Sequence, residues 1–184
     1  MVMKSMKMSR VWDMPNSNTF EVPSIRDFVR KYLRESKVSV DPFARNCGWA
    51  TYTNDLNPNT SAQYHMDALD FLKKMRDDGV IPDLVLYDPP YSPRQIKECY
   101  DQVGIKMGAL DAMRTNWMPE RDTIKDIVPI GGIVLSFGWN SMGMGIGRNF
   151  EIMELLLVCH GVGHSDTICM AERKMAHQLS LESL

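Results

Sequence analysis

Asp83-Leu84-Val85-Leu86-Tyr87-Asp88-Pro89-Pro90-Tyr91 is the stretch on which the fold turns. An apolar run of Leu84, Val85 and Leu86 leads into two prolines, which cannot donate to a strand ladder. The strand therefore ends at the rim of a sheet. There a carboxylate (Asp88), a stiff backbone (Pro89, Pro90) and an aromatic ring (Tyr91) stand side by side. This trio suits a flat heterocycle bearing an amine: the carboxylate and a backbone carbonyl accept its two hydrogens, and the ring stacks on its face.

Outward from this stretch, strand and helix patterns alternate. Upstream, Ile25, Phe28, Val29, Tyr32 and Leu33 recur at helical spacing, so an amphipathic helix is expected over 25–35. Ser24 is its expected N-cap and Asp27 the capping-box partner. Lys37 to Phe43 reads as a short strand stopped at Asp41-Pro42, and Thr51-Tyr52-Thr53 as a second, stopped by Asn54-Asp55-Leu56-Asn57-Pro58. A weak helix is signalled over 58–63. Tyr64-His65-Met66 reads as a very short third strand, followed by Asp67 capping a helix through Leu69, Leu72 and Met75 that Gly79 closes.

Downstream, Ser92-Pro93 marks an N-cap with proline at the first helical position, and Ile96, Cys99, Tyr100 and Val103 form a stripe. Trp117, Arg121, Ile124, Ile127 and Val128 share another helical face. Gly132 to Phe137 is a fifth strand, followed by a Gly-rich run, Gly138 to Gly147, read as a mobile loop near the site. Ile152 to Cys159 and Asp166 to Ala171 are the last two strands. Too few residues separate them for a crossover helix, so they must pair antiparallel. The expected fold class is α/β, a mostly parallel sheet covered on both faces and ending in an antiparallel β-hairpin.

Bulk composition limits the choices. The 184 residues are 44% hydrophobic, enough for one domain, 1–184, with a loop-rich lead-in over 1–23. No apolar run approaches a membrane span, and no apolar segment follows Lys4, Lys7 and Arg10 as in a secretory signal. Fifteen methionines read as adaptable core filling. Four cysteines without a Cys-x-x-Cys pair point to reduced thiols in a cytoplasmic protein and argue against zinc. The formal charge of −2 gives no support for nucleic acid, and the basic set Arg26, Arg30, Lys31, Arg34 and Lys37 reads as a solvated helix face. His160 and His164 flank glycines, which excludes a helical metal pair; no metal is expected. Gly143-Met144-Gly145-Ile146-Gly147 lacks the lysine of a phosphate loop. Trp139 is a candidate for lining a base pocket or for the core.

Ligands of open α/β sheets lie beyond the carboxyl ends of the strands, and Asp41, Asp55, Asp67 and Asp88 each mark such an end. In this order the segments resemble the small, phage-type DNA adenine N6-methyltransferases. That resemblance implies a Rossmann-like methyltransferase sheet and S-adenosyl-L-methionine as cofactor. It makes Asp41-Pro42-Phe43 the first cofactor motif, Asp55-Leu56 the ribose site and Asp67-Ala68 the site for the cofactor's adenine. It makes Asp88-Pro89-Pro90-Tyr91 the catalytic motif. Met14 to Phe20 resembles the segment that closes over the cofactor's methionine end, so Phe20 joins the cofactor set. It implies DNA as partner, in a bacterial host cell if the chain is phage-encoded.

The chain departs from the family at Ala44-Arg45-Asn46, where glycines are usual. Arg45 is expected either to crowd the cofactor or to pair with its carboxylate. No separate target-recognition domain is expected. Arg114 and Arg121, in or beside the 105–120 insertion, are candidate phosphate contacts. Rival readings are a methyltransferase on RNA, N4-cytosine or a protein amide, and an inactive cofactor-binding subunit; specificity supplied by a homodimer or a second subunit is the companion expectation.

Overall fold

A computed structural model of the chain describes residues 6–104 and 117–176. In its interior lies β4 (Leu84–Tyr87), a strand buried along its whole length. Its side chains alternate between two cores, Leu84 and Leu86 on one face and Val85 and Tyr87 on the other. A strand apolar on both faces must be covered on both, and it is. On one side packs α1 (Pro23–Leu33), through Ile25, Phe28, Val29 and Tyr32. On the other pack α2 (Ala68–Asp77), through Phe71, Leu72 and Met75, and α4 (Met118–Ile127), through Ile124 and Ile127.

The remaining strands are β1 (Lys7–Trp12), β2 (Ser39–Asp41), β3 (Tyr52–Thr53), β5 (Ile133–Gly138), β6 (Phe150–Cys159) and β7 (Thr167–Lys174). The sheet order is β1-β6-β7-β5-β4-β2-β3. β7 runs antiparallel to both β5 and β6, and the other pairings are parallel. This is the mostly parallel sheet with a terminal hairpin that the sequence leads one to expect. From β2 the chain goes first to β3 on one side, then to β4 on the other. The strand order reverses there, which puts the crevice of an open α/β sheet at the ends of β2 and β4, at Asp41 and Asp88.

Several local expectations are corrected. Residues 7–12 are not loop: they form β1, an edge strand parallel to β6. Its Lys7 reaches the buried Glu154, and its Val11 packs on the core. Helix α1 begins at Pro23, whose fixed φ starts the first turn, and Ser24 is not its cap: the Ser24 N–H donates to Asp13 Oδ2 at 2.9 Å. The third strand shrinks to one bridge, Asn54 with Tyr64, and 58–63 is turn rather than helix. Within the basic face, Arg30 lies 4.8 Å from the Trp49 ring centre and Lys31 pairs with Glu154, so neither is simply solvated. Arg121 is buried in α4 and donates to the Gly143 carbonyl at 2.8 Å, unlike a phosphate contact. Arg114 lies outside the described residues.

The Gly-rich run is tethered rather than loose. Glu172 of β7, 1% exposed, accepts from the backbone N–H groups of Met144 and Gly145 and from the Ser136 hydroxyl. No helix among the described residues is long and apolar enough to cross a membrane.

Candidate active site at the ends of β2 and β4

Three connections converge on this crevice: the loop after β2, the motif after β4, and the strap of residues 13–22 between β1 and α1. Each is held by specific bonds. Asn54, fully buried after β3, organises the first. Its amide donates to the carbonyls of Pro42 (3.1 Å) and Met66 (3.0 Å), and its Oδ1 accepts from Met66 N–H at 3.1 Å. One side chain thus stitches the Asp41, Asp55 and Asp67 segments together.

Asp41 ends β2 with no exposure. Its Oδ1 accepts from the Phe43 N–H at 3.0 Å, and its Oδ2 has no hydrogen-bond partner among the described residues. Burial drives its carboxyl well above the usual carboxylate range, and the nearby Asp88 and Asp55 push the same way. Asp55 accepts from the Arg45 and Asn57 N–H groups at 3.0 and 2.8 Å. Asp67 caps α2 through Leu69 N–H at 2.9 Å, as expected, and also accepts the Tyr100 hydroxyl of α3 (Pro93–Gln102) at 3.0 Å.

Arg45 takes φ +51°, the left-handed region that favours glycine. The loop therefore follows the backbone course a glycine would give it, and Arg45 Nη1 donates to the Ser17 carbonyl of the strap at 2.7 Å. The strap is pinned at its other end by Asp13, whose carbonyl bonds His160 Nδ1 at 2.9 Å. A carbonyl can only accept, so Nδ1 carries the proton. Nε2 then accepts the Thr167 hydroxyl at 2.9 Å in the neutral ring.

The Asp88 segment is rigid. Ser92, as expected, caps α3 by accepting from Gln95 N–H (3.2 Å), and Gln95 Oε1 accepts from Tyr91 N–H (2.8 Å). Trp117, entering α4 at φ +46°, donates its indole N–H to the Pro90 carbonyl at 3.2 Å. Asp88 is thus not the helix cap; its Oδ1 instead accepts the Tyr91 hydroxyl. Burial raises the Asp88 carboxyl, opposed by Tyr91, Thr19 and the more distant Arg45. The Tyr91 phenol is held well above its ordinary value, by burial and by the Asp88 charge.

Two cavities flank this pair. The first, about 180 Å³, lies between the β2 loop and the strap and brings together Phe20, Phe43 and Asp88 with Arg45 and Trp49. Phe20 stacks on Trp49 at 6.1 Å between ring centres, and Phe43 meets Trp117 edge-on at 5.3 Å. Of the other expected site residues, Asp41, Pro42, Asp55, Leu56, Asp67 and Ala68 do not line it. The second cavity, about 220 Å³, is lined by Tyr91, Gln95, Trp139, His160 and the strap. Trp139 lies there rather than in the core, 46% exposed and 5.6 Å from the Tyr91 ring. Thr19 lines both cavities.

Thr19, Asn54, Trp117 and His160 are residues to which local sequence patterns give no role at this site. Only the Asn-Thr-Phe within the strap, and the asparagine directly before Asp55, hint at two of them.

Neither family models nor curated protein sequences match the chain. Solved structures do. SMU.776, complexed with SAH, superposes with TM-score 0.54 at 12% identity over 80% of this chain and 49% of that one. TrmN from Thermus thermophilus gives 0.53 at 12% identity over 84% and 49%. The N-methyltransferase NodS from Bradyrhizobium japonicum WM9 gives 0.51 at 12% over 88% and 100%. The chain spans about half the length of the first two. At these identities the likeness is one of fold: the chain has the Rossmann-like methyltransferase fold.

Proposed function

We propose that this chain is an S-adenosyl-L-methionine-dependent methyltransferase acting on the N6 amine of adenine in DNA. One observation carries the reading. Asp88 stands at the switch point on a proline-stiffened corner, is not spent on capping a helix, and faces a cavity walled by the β2 loop. The Oδ2 of Asp41, buried at the neighbouring strand end, has no hydrogen-bond partner among the described residues, and the SAH bound to SMU.776 is consistent with that choice of cofactor. Phe20, Phe43, Trp49 and Arg45 would hold the cofactor in the first cavity.

When bound, the cofactor supplies a methyl group on an activated sulfonium. The chain's own task is then positioning. Asp88 and the Pro89 carbonyl accept the two amine hydrogens, which turns the nitrogen lone pair toward the methyl carbon. Asp88 would also take up the proton that the amine gives up on methylation. Tyr91 supports the acceptor ring. At about 180 Å³ the first cavity is below the several hundred typical of such pockets.

The altered Ala44-Arg45-Asn46 loop favours an active enzyme over a degenerate subunit, because Arg45 adopts the glycine-type backbone. Nucleoside mass spectrometry of DNA from cells expressing the chain tests the proposal against an Asp88→Ala control. N6-methyladenine above the control supports it. None, from soluble protein that binds the cofactor, refutes adenine in DNA as the substrate.

A further inference from the structure

Gln95 stands in the first turn of α3, half-buried, in the wall of the second cavity. Its neighbours fix how its carboxamide is turned. The Tyr91 N–H donates to one end of the group at 2.8 Å, and the Ser92 hydroxyl lies 3.4 Å from the same atom. A backbone N–H can meet only an acceptor, so that end is the oxygen. The other end is an NH2 with two hydrogens, and among the described residues neither has a hydrogen-bond partner. The two buried polar side chains of this wall are already engaged: His160 donates to the Asp13 carbonyl and accepts the Thr167 hydroxyl. We propose that the second cavity seats the acceptor base and that Gln95 is a specificity-determining residue, its NH2 donating to a bare ring nitrogen of that base. The inference rests on the methyltransferase reading above and deepens it.

The seat follows from the Asp88–Tyr91 pair. Asp88 lines the first cavity, Tyr91 the second, and the Tyr91 hydroxyl donates to Asp88 Oδ1. A ring lying against Tyr91 can therefore bring its amine to Asp88 from the side opposite the cofactor. Tyr91 and Trp139, with ring centres 5.6 Å apart, give this cavity aromatic faces that suit a flat base rather than a flexible side-chain amide. Asp88 and the Pro89 carbonyl are acceptors and serve only the amine. Adenine also presents bare acceptors at N1, N3 and N7, and one that is stripped of water needs a donor. Gln95 has that donor, held on the corner that carries the catalytic motif.

The test uses Gln95→Glu, which keeps an oxygen for the Tyr91 N–H and removes the NH2. Protein saturated with S-adenosylhomocysteine is titrated by ligand-observed NMR with 2′-deoxyadenosine and with its 1-deaza, 3-deaza and 7-deaza forms, each lacking one ring nitrogen. The parent is expected to bind one of the three about fivefold to tenfold more weakly than deoxyadenosine and the other two like it. Gln95→Glu is expected to bind deoxyadenosine as weakly as the parent binds that analogue, and to lose the distinction between them. Its cofactor affinity should stay within about threefold of the parent. Should Gln95→Glu not fold, Gln95→Met is expected to lose the same distinction. Equal binding of all four nucleosides by the parent, no binding of any, or a distinction that survives in the variant overturns the proposal. A parent that shows the expected pattern yet leaves adenine in DNA unmethylated refutes the DNA substrate alone, and the titration still upholds Gln95.

Discussion

Arg45 Nη1 and the Ser17 carbonyl, 2.7 Å apart, join the loop after β2 to the strap that crosses the mouth of the first cavity. The bond lies at the surface and comes from a residue in left-handed backbone. Arg45→Gly relieves a backbone cost of about 1 kcal/mol and loses a hydrogen bond worth about 1 kcal/mol, so net stability should barely change. The strap, however, is released at one end. Hydrogen exchange at residues 15–19 should quicken several-fold with an unshifted melting temperature; unchanged exchange would mean the bond holds nothing.

Asn54 carries more. Its three bonds satisfy the backbone of Pro42 and Met66 inside a fully buried site. Asn54→Ala leaves those groups without partners and should cost about 3 kcal/mol in denaturant unfolding. Cofactor affinity should fall as well, since the loop after β2 loses its anchor. A loss below about 1 kcal/mol would show that the loop is held from elsewhere.

Gly143 is constrained by Glu172. It sits at φ +46°, and a Cβ there would lie 2.3 Å from Glu172 Oε2. Gly143→Ala must therefore displace the carboxylate that ties Met144 and Gly145 to β7, and should cost about 2–3 kcal/mol in chemical unfolding. A neutral result would show that Glu172 can swing aside without losing the loop.

Glu154 gives a pH dependence with a definite sign. Burial alone would raise its carboxyl, but Lys31, Tyr32 and Lys7 outweigh burial and hold it at about 2, against an ordinary 4.5. A depressed folded value means the stabilisation is complete above pH 4.5 and drains away as pH falls toward 2. With both lysines largely exposed, about 2 kcal/mol is expected rather than the full shift. Thermal unfolding of Glu154→Gln should lack this slope between those two pH values, and a parallel curve would assign the acid sensitivity to other carboxylates.

The sheet was legible because one interior strand is a Leu-Val-Leu run stopped by prolines, and its last two strands have no room for a crossover. The acids at the strand ends were legible for the same reason: each sits where a proline, a turn or a helix interrupts an apolar run. β1 was not, because Lys-Met-Ser-Arg-Val-Trp offers few inward apolar residues and owes its pairing to β6. Ser24 misled because a capping box is a local pattern, while the partner that claims the Ser24 N–H is Asp13, on a different segment. Thr19, Trp117 and His160 take their significance from tertiary neighbours, and a lone hydroxyl, indole or imidazole carries no local mark of that.

The pairing of β1 with β6 bears on how the molecule is assembled. Arg10 and Cys159 meet across 149 residues of chain, and the strap follows directly from that strand. Contacts of such span form late, since the intervening chain must first be ordered. During synthesis the crevice walls from β2 to β5 have all emerged before β6 exists to receive the leading strand. The crevice thus acquires its cover only once the hairpin has formed, and truncation within the hairpin should leave a crevice that stands open.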